Sequence, residues 1–368
     1  MAVSEQKQID PAANETAMMP DSETPAQFQS RMLLGVSRTF ALTIPQLPGQ
    51  LHFAVSNAYL LCRAVDTIED EPALTNSQRV ELCSQFVDVV GGTESAENVS
   101  RKLLPLLSDS TIPAEHELIR ALPRVIAITH NFPKPQYQAL LTCVRTMAHG
   151  MPLFQESEIS HGLPTLNDFD QYCYYVAGCV GEMLTKLFCD YSTEIKQHRE
   201  QLQTLAVSFG QGLQMTNILK DIWDDRQRNV CWLPRDVFQQ CGYDLSRLSP
   251  DTNTPEFQQG LSYLVSLAYQ HLENALRYTL LIPAYEKGIR KFCLWAIGMA
   301  LLTLQKIHKH PDFNDSQQVK ISRRQVKATI ALTNLTVTSN SLLDRLFQQA
   351  GRGLDSPCWQ FDKTLKQT

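Results

Sequence analysis

The chain has 368 residues, 43% of them apolar and 19% charged, with a formal net charge of −5. That length supplies a large core and leaves room for two or three domains, although single helical domains reach this size. The acidic balance, with no basic stripe to offset it, argues against a nucleic-acid partner. The ten cysteines are scattered through apolar segments, without a C-x-x-C pair or a His/Cys spacing suited to zinc. They read as free thiols of a protein in a reducing, cytoplasmic setting. The longest apolar run, Phe292 to Leu304, is too short to span a bilayer. Residues 1–27 are polar, lack the basic head and apolar run of a signal peptide, and are expected to form a disordered tail.

After that tail, Ser37-Arg38-Thr39-Phe40 leads into Ala41–Pro45, and Pro48-Gly49 makes a turn before the first long helix. Arg38 is a candidate phosphate ligand, although a lone arginine is more often simply solvated. The long helix is apolar almost all round and should be buried. On it Tyr59, Arg63, Asp66 and Asp70 share one face. Asp66, Glu69, Asp70 and Glu71 crowd its C-terminal end before Pro72, where the helix dipole disfavours anions. An amphipathic helix over 76–90 stops at Gly91-Gly92, and helical patterns follow near 115–130 and 134–150. Thr165 or Asn167 is a plausible N-cap for a helix running to about 190. Along it Tyr172, Val176, Cys179 and Met183 form one stripe, most simply core, while Gly178 and Gly181 let another element come close.

The helix over 199–226 carries the second acidic pattern. At about 100° per residue, Gln214, Asn217, Asp221 and Asp225 fall within roughly 80° of one another, and Gly210 shares their face. Two carboxylates four residues apart repel, by about 0.2–0.5 kcal/mol on an exposed helix and by more in a pocket. A cation between them relieves that, and hard oxygen ligands suit Mg²⁺. A solvated acidic helix end is the plain alternative. Two buried helices each ending in D-x-x-x-D favour ions and a diphosphate clamped between them. Arg226, Arg228 and Trp232 follow in a loop, then helices over 255–281, 286–308 and 322–349. Between the last two lies a basic cluster, Lys320, Arg323 and Arg324, which is either a solvated loop or a seat for dinucleotide phosphates. No G-x-G-x-x-G unit accompanies it, so a Rossmann domain is not expected. The expected architecture is all-α, one helical bundle over 28–350 with a central apolar cavity and a C-terminal tail over 351–368.

Four stretches in this order resemble the squalene/phytoene synthase family: Ser37–Phe40, Arg63–Asp70, Tyr172–Gly178 and Gln214–Asp221. Asp66-Thr-Ile-Glu-Asp70, Tyr172-Cys-Tyr-Tyr-Val-Ala-Gly and Val319-Lys-Ile are most similar to its squalene-forming members. The resemblance implies an isoprenoid-synthase-type bundle that condenses two farnesyl diphosphates head to head, with about three Mg²⁺ ions and then NADPH for the reduction. Asp66, Asp70, Asn217, Asp221 and Asp225 would hold the metal. Ser37, Arg38, Phe40, Tyr59, Arg63, Val176, Cys179, Met183, Gln214 and Arg226 would bind substrate, Tyr172 would serve the reacting carbons, and Lys320, Arg323 and Arg324 the dinucleotide. Peripheral contact with a membrane would come through the lipid product. Two features depart from the pattern. Leu294-Trp295-Ala296-Ile297 stands where eukaryotic squalene synthases carry Pro-Gln, and Cys231-Trp232-Leu233-Pro234 is similar to a phytoene synthase segment. A dehydrosqualene or phytoene synthase without reductase activity, a terpene cyclase, and a non-catalytic helical interaction protein remain as rivals.

Overall fold

The structure is a computed structural model and describes residues 23–37, 39–155 and 159–355. Within those residues helices form throughout and no strand does, apart from one isolated bridge between Leu163 and Pro234. The first helix, Pro25–Val36, is opened by a reciprocal cap between Thr24 and Gln27, so ordered structure begins slightly before residue 28. The same device opens Asn76–Gly91 from Thr75 and Leu166–Cys173 from Thr165. In each, a side-chain oxygen and a side-chain carboxyl or amide satisfy backbone donors that the first turn leaves unpaired.

The centre is the Arg199–Gln227 helix, against which Pro255–Leu281 packs along most of its length. Lys287–Lys309 closes one side, Cys179–Tyr191 and Lys134–Gly150 the other, and Gly49–Asp70 completes the ring. Backbones cross closely where side chains are missing. A Cβ on Gly210 would lie 2.0 Å from the Ala177 carbonyl oxygen, and one on Gly181 would lie 2.1 Å from that of Ala206. The space expected beside Gly210 for a bound group is therefore partly filled by the crossing helix.

Two expected helices are broken. The 115–130 pattern divides at Ala121 into Pro113–Arg120 and Leu122–His130, with Pro123 in the first turn of the second. The 322–349 pattern divides into Arg323–Thr336 and Asn340–Ala350, the latter capped by Ser339. A third departure matters for the site: Tyr174–Gly178 is one turn of π-helix inside the expected continuous helix. One surplus residue there rotates everything after it relative to everything before it. None of the nine described cysteines is joined in a disulfide, and Cys358 lies outside the described residues. No helix among those residues is long and apolar enough to cross a membrane.

Candidate active site

The ring of helices encloses a cavity of about 320 Å³. Its walls are apolar: Ile44, Val55, Val176, Val180, Met183, Leu184 and Leu213 line it, with Phe188, Phe209, Tyr278 and Phe292 deeper in. Phe188 meets Phe292 edge-on at 6.3 Å between centroids, and Phe209 meets Tyr278 at 5.5 Å. The Tyr278 hydroxyl, fully enclosed, pairs with the Thr185 hydroxyl at 2.9 Å. The polar residues on the wall are Tyr59, Arg63 and Asp66 from one helix and Gln214 and Asn217 from the facing one. The two acidic segments therefore look into the same cavity.

At the Asp66 end, carboxylates outnumber cations. Arg63 gives one nitrogen to Glu115 and stands 3.8 Å from Asp66. One oxygen of Asp66 is buried without a hydrogen-bond partner. Burial, with Asp70 and Glu115 adding like charge, pushes the Asp66 carboxyl up to about 7 despite Arg63. Desolvation also raises Asp70, and it raises the enclosed Glu69, which accepts from Gln155 at 2.5 Å. Arg79 donates to the carbonyls of Glu69 and Glu71, supplying the positive charge that this helix terminus lacks in its own last turn. Glu71 turns away and is held by the Ala73 and Ser108 amides and the Thr111 hydroxyl, so it belongs to the loop rather than the site.

The facing end is better supplied with cations. Lys220 pairs with Asp221 at 3.0 Å and reaches Asn217 at 3.3 Å. Arg228 pairs with Asp225 at 2.5 Å. Asn229, with a positive φ of 59°, turns the chain back so that Arg228 folds over the helix terminus. Asp225 is still pushed up to about 6, by burial first and then by Asp221 and Asp70. The charge of Asp70 is thus felt by Asp225 on the opposite helix.

Tyr172 joins the two ends. It is buried and stacks on Trp232 with centroids 3.9 Å apart and planes 9° from parallel. Burial, then the charges of Glu69, Asp70 and Asp225, holds its hydroxyl well above the ordinary phenol range. Trp232 is fixed by backbone bonds: Cys231 to Ile159 at 2.8 Å, Leu163 to Leu233 at 2.9 Å and Arg235 to Leu163 at 2.8 Å.

Several expected residues are placed otherwise than their spacing suggested. Cys179 faces away from the cavity: its thiol donates to the Tyr175 carbonyl and lies 4.0 Å from the Cys143 sulfur. The π-turn causes this, because the rotated face presents Val180 and Leu184 with Val176 and Met183. Arg226 donates to the carbonyls of Leu248 and Ser160 and so braces loops, leaving Arg228 as the arginine beside the carboxylates. Ser37 accepts from the Phe40 amide at 3.0 Å, and Phe40 packs on Tyr59 at the cavity wall. Arg38 lies outside the described residues. Arg323 and Arg324 are exposed on the helix that covers Lys287–Lys309, and Lys320 is half-buried beside them. Sequence reasoning missed Arg228, Trp232, Gln155 and Glu115 as neighbours of the site. Only the nearness of Arg228 and Trp232 to the acidic helix hinted at them.

The donor set suits magnesium: hard carboxylate oxygens, one of them orphaned, under mutual repulsion that a divalent cation would relieve. Among the described residues no three acidic, histidine or cysteine side chains already converge on one point. Ions held here would therefore need oxygens from a bound diphosphate as well, which is how Mg²⁺ is usually taken up.

An all-helical ring around an apolar cavity defines a fold class that solved structures share. The TcSQS–ligand complex superposes with a TM-score of 0.71 at 22% identity, covering 91% of this chain and 99% of that one. A dehydrosqualene synthase in complex with ligand superposes with a TM-score of 0.58 at 20% identity, covering 86% and 97%. Within that class the chain belongs to the squalene/phytoene synthase family, a family of prenyltransferases, whose profile matches residues 33–325. It is similar to the squalene synthase of Cyberlindnera jadinii, 29% identical over 331 residues, which are 88% of this chain and 71% of that protein. Squalene synthase 1 of Arabidopsis thaliana is 30% identical over 277 residues, 74% and 63% of the two chains. The squalene synthase of Nicotiana benthamiana is 32% identical over 279 residues, 74% and 62%. The chain thus spans less than two thirds of the plant relatives' length.

Proposed function

We propose that the protein condenses two farnesyl diphosphates head to head into presqualene diphosphate and then reduces this to squalene. The observation that carries the reading is one cavity with Asp66 on one wall and Asn217 on the facing one, Asp70 close enough to raise Asp225, and hydrocarbon walls below. Two prenyl chains that meet tail-inward and diphosphate-outward need such a shape. Asp66, Asp70, Asn217, Asp221 and Asp225 would hold Mg²⁺, which when bound supplies positive charge to the departing diphosphate. Arg63, Lys220 and Arg228 stand beside these ligands and can hydrogen-bond diphosphate oxygens, the arginines in fork geometry.

Departure of one diphosphate leaves an allylic cation, which the double bond of the second chain attacks. Neither ring of the Tyr172–Trp232 stack lines the cavity, but Tyr172 is near enough to Asp70 and Asp225 to feel their charge, so its π-density would favour such a cation at the carboxylate end. Because its ionisation is strongly disfavoured, Tyr172 acts as a neutral phenol, its oxygen available as hydrogen-bond acceptor for the proton lost on ring closure. Val176, Val180, Met183 and Leu184 keep water from the cation. In the second stage NADPH would supply hydride; Lys320, Arg323 and Arg324 are cations suited to its phosphates, on a helix packed over the cavity wall.

A second reading, a dehydrosqualene-type synthase without reduction, is favoured by Ala296, from the Leu294–Ile297 stretch, lining the cavity where the Pro-Gln pair is missing. One assay separates them: purified protein with farnesyl diphosphate and Mg²⁺, with and without NADPH, and the hydrocarbon identified by mass spectrometry. Squalene only with NADPH supports the first reading and dehydrosqualene in both arms the second. No hydrocarbon in either arm overturns both.

A further inference from the structure

The Arg323–Thr336 helix carries apolar side chains outward as well as inward, where Val326 and Ile330 are half-buried. It buries Thr333 and Thr336 against the body of the protein while Leu332 is 45% exposed and Leu335 82%. The buried threonines are tolerable because such hydroxyls can bond back along the helix, as Thr336 does to the Leu332 carbonyl at 2.8 Å. Thr329 packs its methyl so tightly on Gly298 that a Cβ there would lie 2.6 Å from it. The packing face is therefore committed, and the leucines point outward by construction. Ala328, Ala331, Leu332 and Leu335, spaced i, i+3, i+4 and i+7, form one solvent-facing stripe, and all four are exposed. Leu342, just past the next turn, is exposed by 46% as well.

The charges on this helix are equally one-sided. It carries Arg323, Arg324 and Lys327 and no acid, in a chain whose net charge is −5. All three cations are exposed and sit in the first turns, where the helix dipole disfavours them, so they are not there to stabilise the helix. Arg324 falls on the leucine stripe itself, four residues before Ala328, and Lys327 lies at its edge.

We propose that this face docks on the surface of a bilayer containing anionic lipid, with Leu332 and Leu335 entering the acyl boundary and Lys327, the cation of this helix that the dinucleotide reading does not use, meeting the headgroups. Exposed leucines beside unopposed cations are complementary to such a surface. Self-association through the same face would bring Lys327 of two copies together, which like charge opposes. The helix would lie in the interface rather than cross it. Its other face covers Lys287–Lys309, whose Phe292, Cys293 and Ala296 line the cavity. If the proposed activity holds, an apolar product forms one helix away from a medium that dissolves it. The docking itself does not rest on that activity.

The test uses the full-length protein without substrate or metal, co-sedimented with phosphatidylcholine vesicles and with vesicles that also contain phosphatidylglycerol. The expected result is binding to the anionic vesicles that falls with salt, at least about tenfold weaker in the Leu332→Glu/Leu335→Glu variant and several-fold weaker in Lys327→Glu. All three substitutions are at exposed positions, and an unchanged circular dichroism spectrum and melting temperature verify the fold. Wild-type protein that ignores both vesicles overturns the proposal, as does equal binding by the double-leucine variant. A wild-type dimer that the leucine changes dissolve, without vesicle binding, overturns it in favour of a homotypic interface.

Discussion

The two acidic helix ends share a spacing, Asp66 to Asp70 and Asp221 to Asp225, yet the protein treats them differently. Around Asp221 and Asp225 each carboxylate has a neighbouring cation, Lys220 or Arg228. Around Asp66 the nearest cation, Arg63, is already engaged by Glu115, and one carboxyl oxygen has no partner. The first end is an acid trap under repulsion; the second is nearly neutralised and flexible in what it can receive. Should both ends take up metal, as proposed, the first would be the strong half-site and the second the weak one, and the strong half should dominate both binding and electrostatic cost.

The largest expected effect breaks this comparison outright. Asp66→Ala should lower diphosphate release by on the order of a thousandfold or more, and Asp221→Ala by somewhat less. Folding should survive both, because each removes repulsion rather than packing. Steady-state release of pyrophosphate measures it, and near-normal turnover in Asp66→Ala would remove the metal reading altogether.

A second measurement sharpens the comparison through pH. Without metal, Asp66 and Asp225 are raised to about 7 and about 6, above an unfolded value near 4. The folded state then binds protons more tightly than the unfolded one, so stability falls as pH rises through that window and is greatest at its acid side. Thermal melts in a chelator should show the melting temperature dropping by several degrees between about pH 5 and about pH 8. Asp66→Asn should remove part of the drop and Asp225→Asn less, with the raised Glu69 and Asp70 carboxyls supplying the rest. A flat profile would mean the acids are not crowded.

Tyr172→Phe keeps the stack on Trp232 but removes the hydroxyl. It should slow the first condensation by about ten- to a hundredfold while leaving substrate binding intact; unchanged single-turnover rates would leave the oxygen without a role. The smallest effect belongs to Arg228→Gln, which strips Asp225 of its partner. We expect a rise of a few-fold in the farnesyl diphosphate concentration at half-maximal rate, with little change in maximal rate. The reverse split would show that the weak half-site acts in the transition state.

The fold class and the acidic faces were legible because helical periodicity is local: Gln214, Asn217 and Asp221 share a side of their helix whatever packs around it. The cap at Thr165 and the stop at Gly92 were legible for the same reason. What escaped depended on tertiary choices. Cys179 and Val180 are equally apolar, and nothing local told which of them faces the cavity. Arg226 and Arg228 differ only by two positions in a loop; the bonds of Arg226 to Ser160 and Leu248 come from segments far along the chain. The break at residues 337–339 is likewise set by how Asn340–Ala350 packs, with no proline or glycine to mark it.

The turn of π-helix at Tyr174–Gly178 makes the helical stretch over 166–191 behave as two rods keyed at different angles. Removing a single residue there should swing Val180 and Leu184 sideways and bring the Cys179 sulfur into the apolar chamber. A deletion scan across these five positions, rather than a substitution scan, is where the chamber's shape is most sensitive.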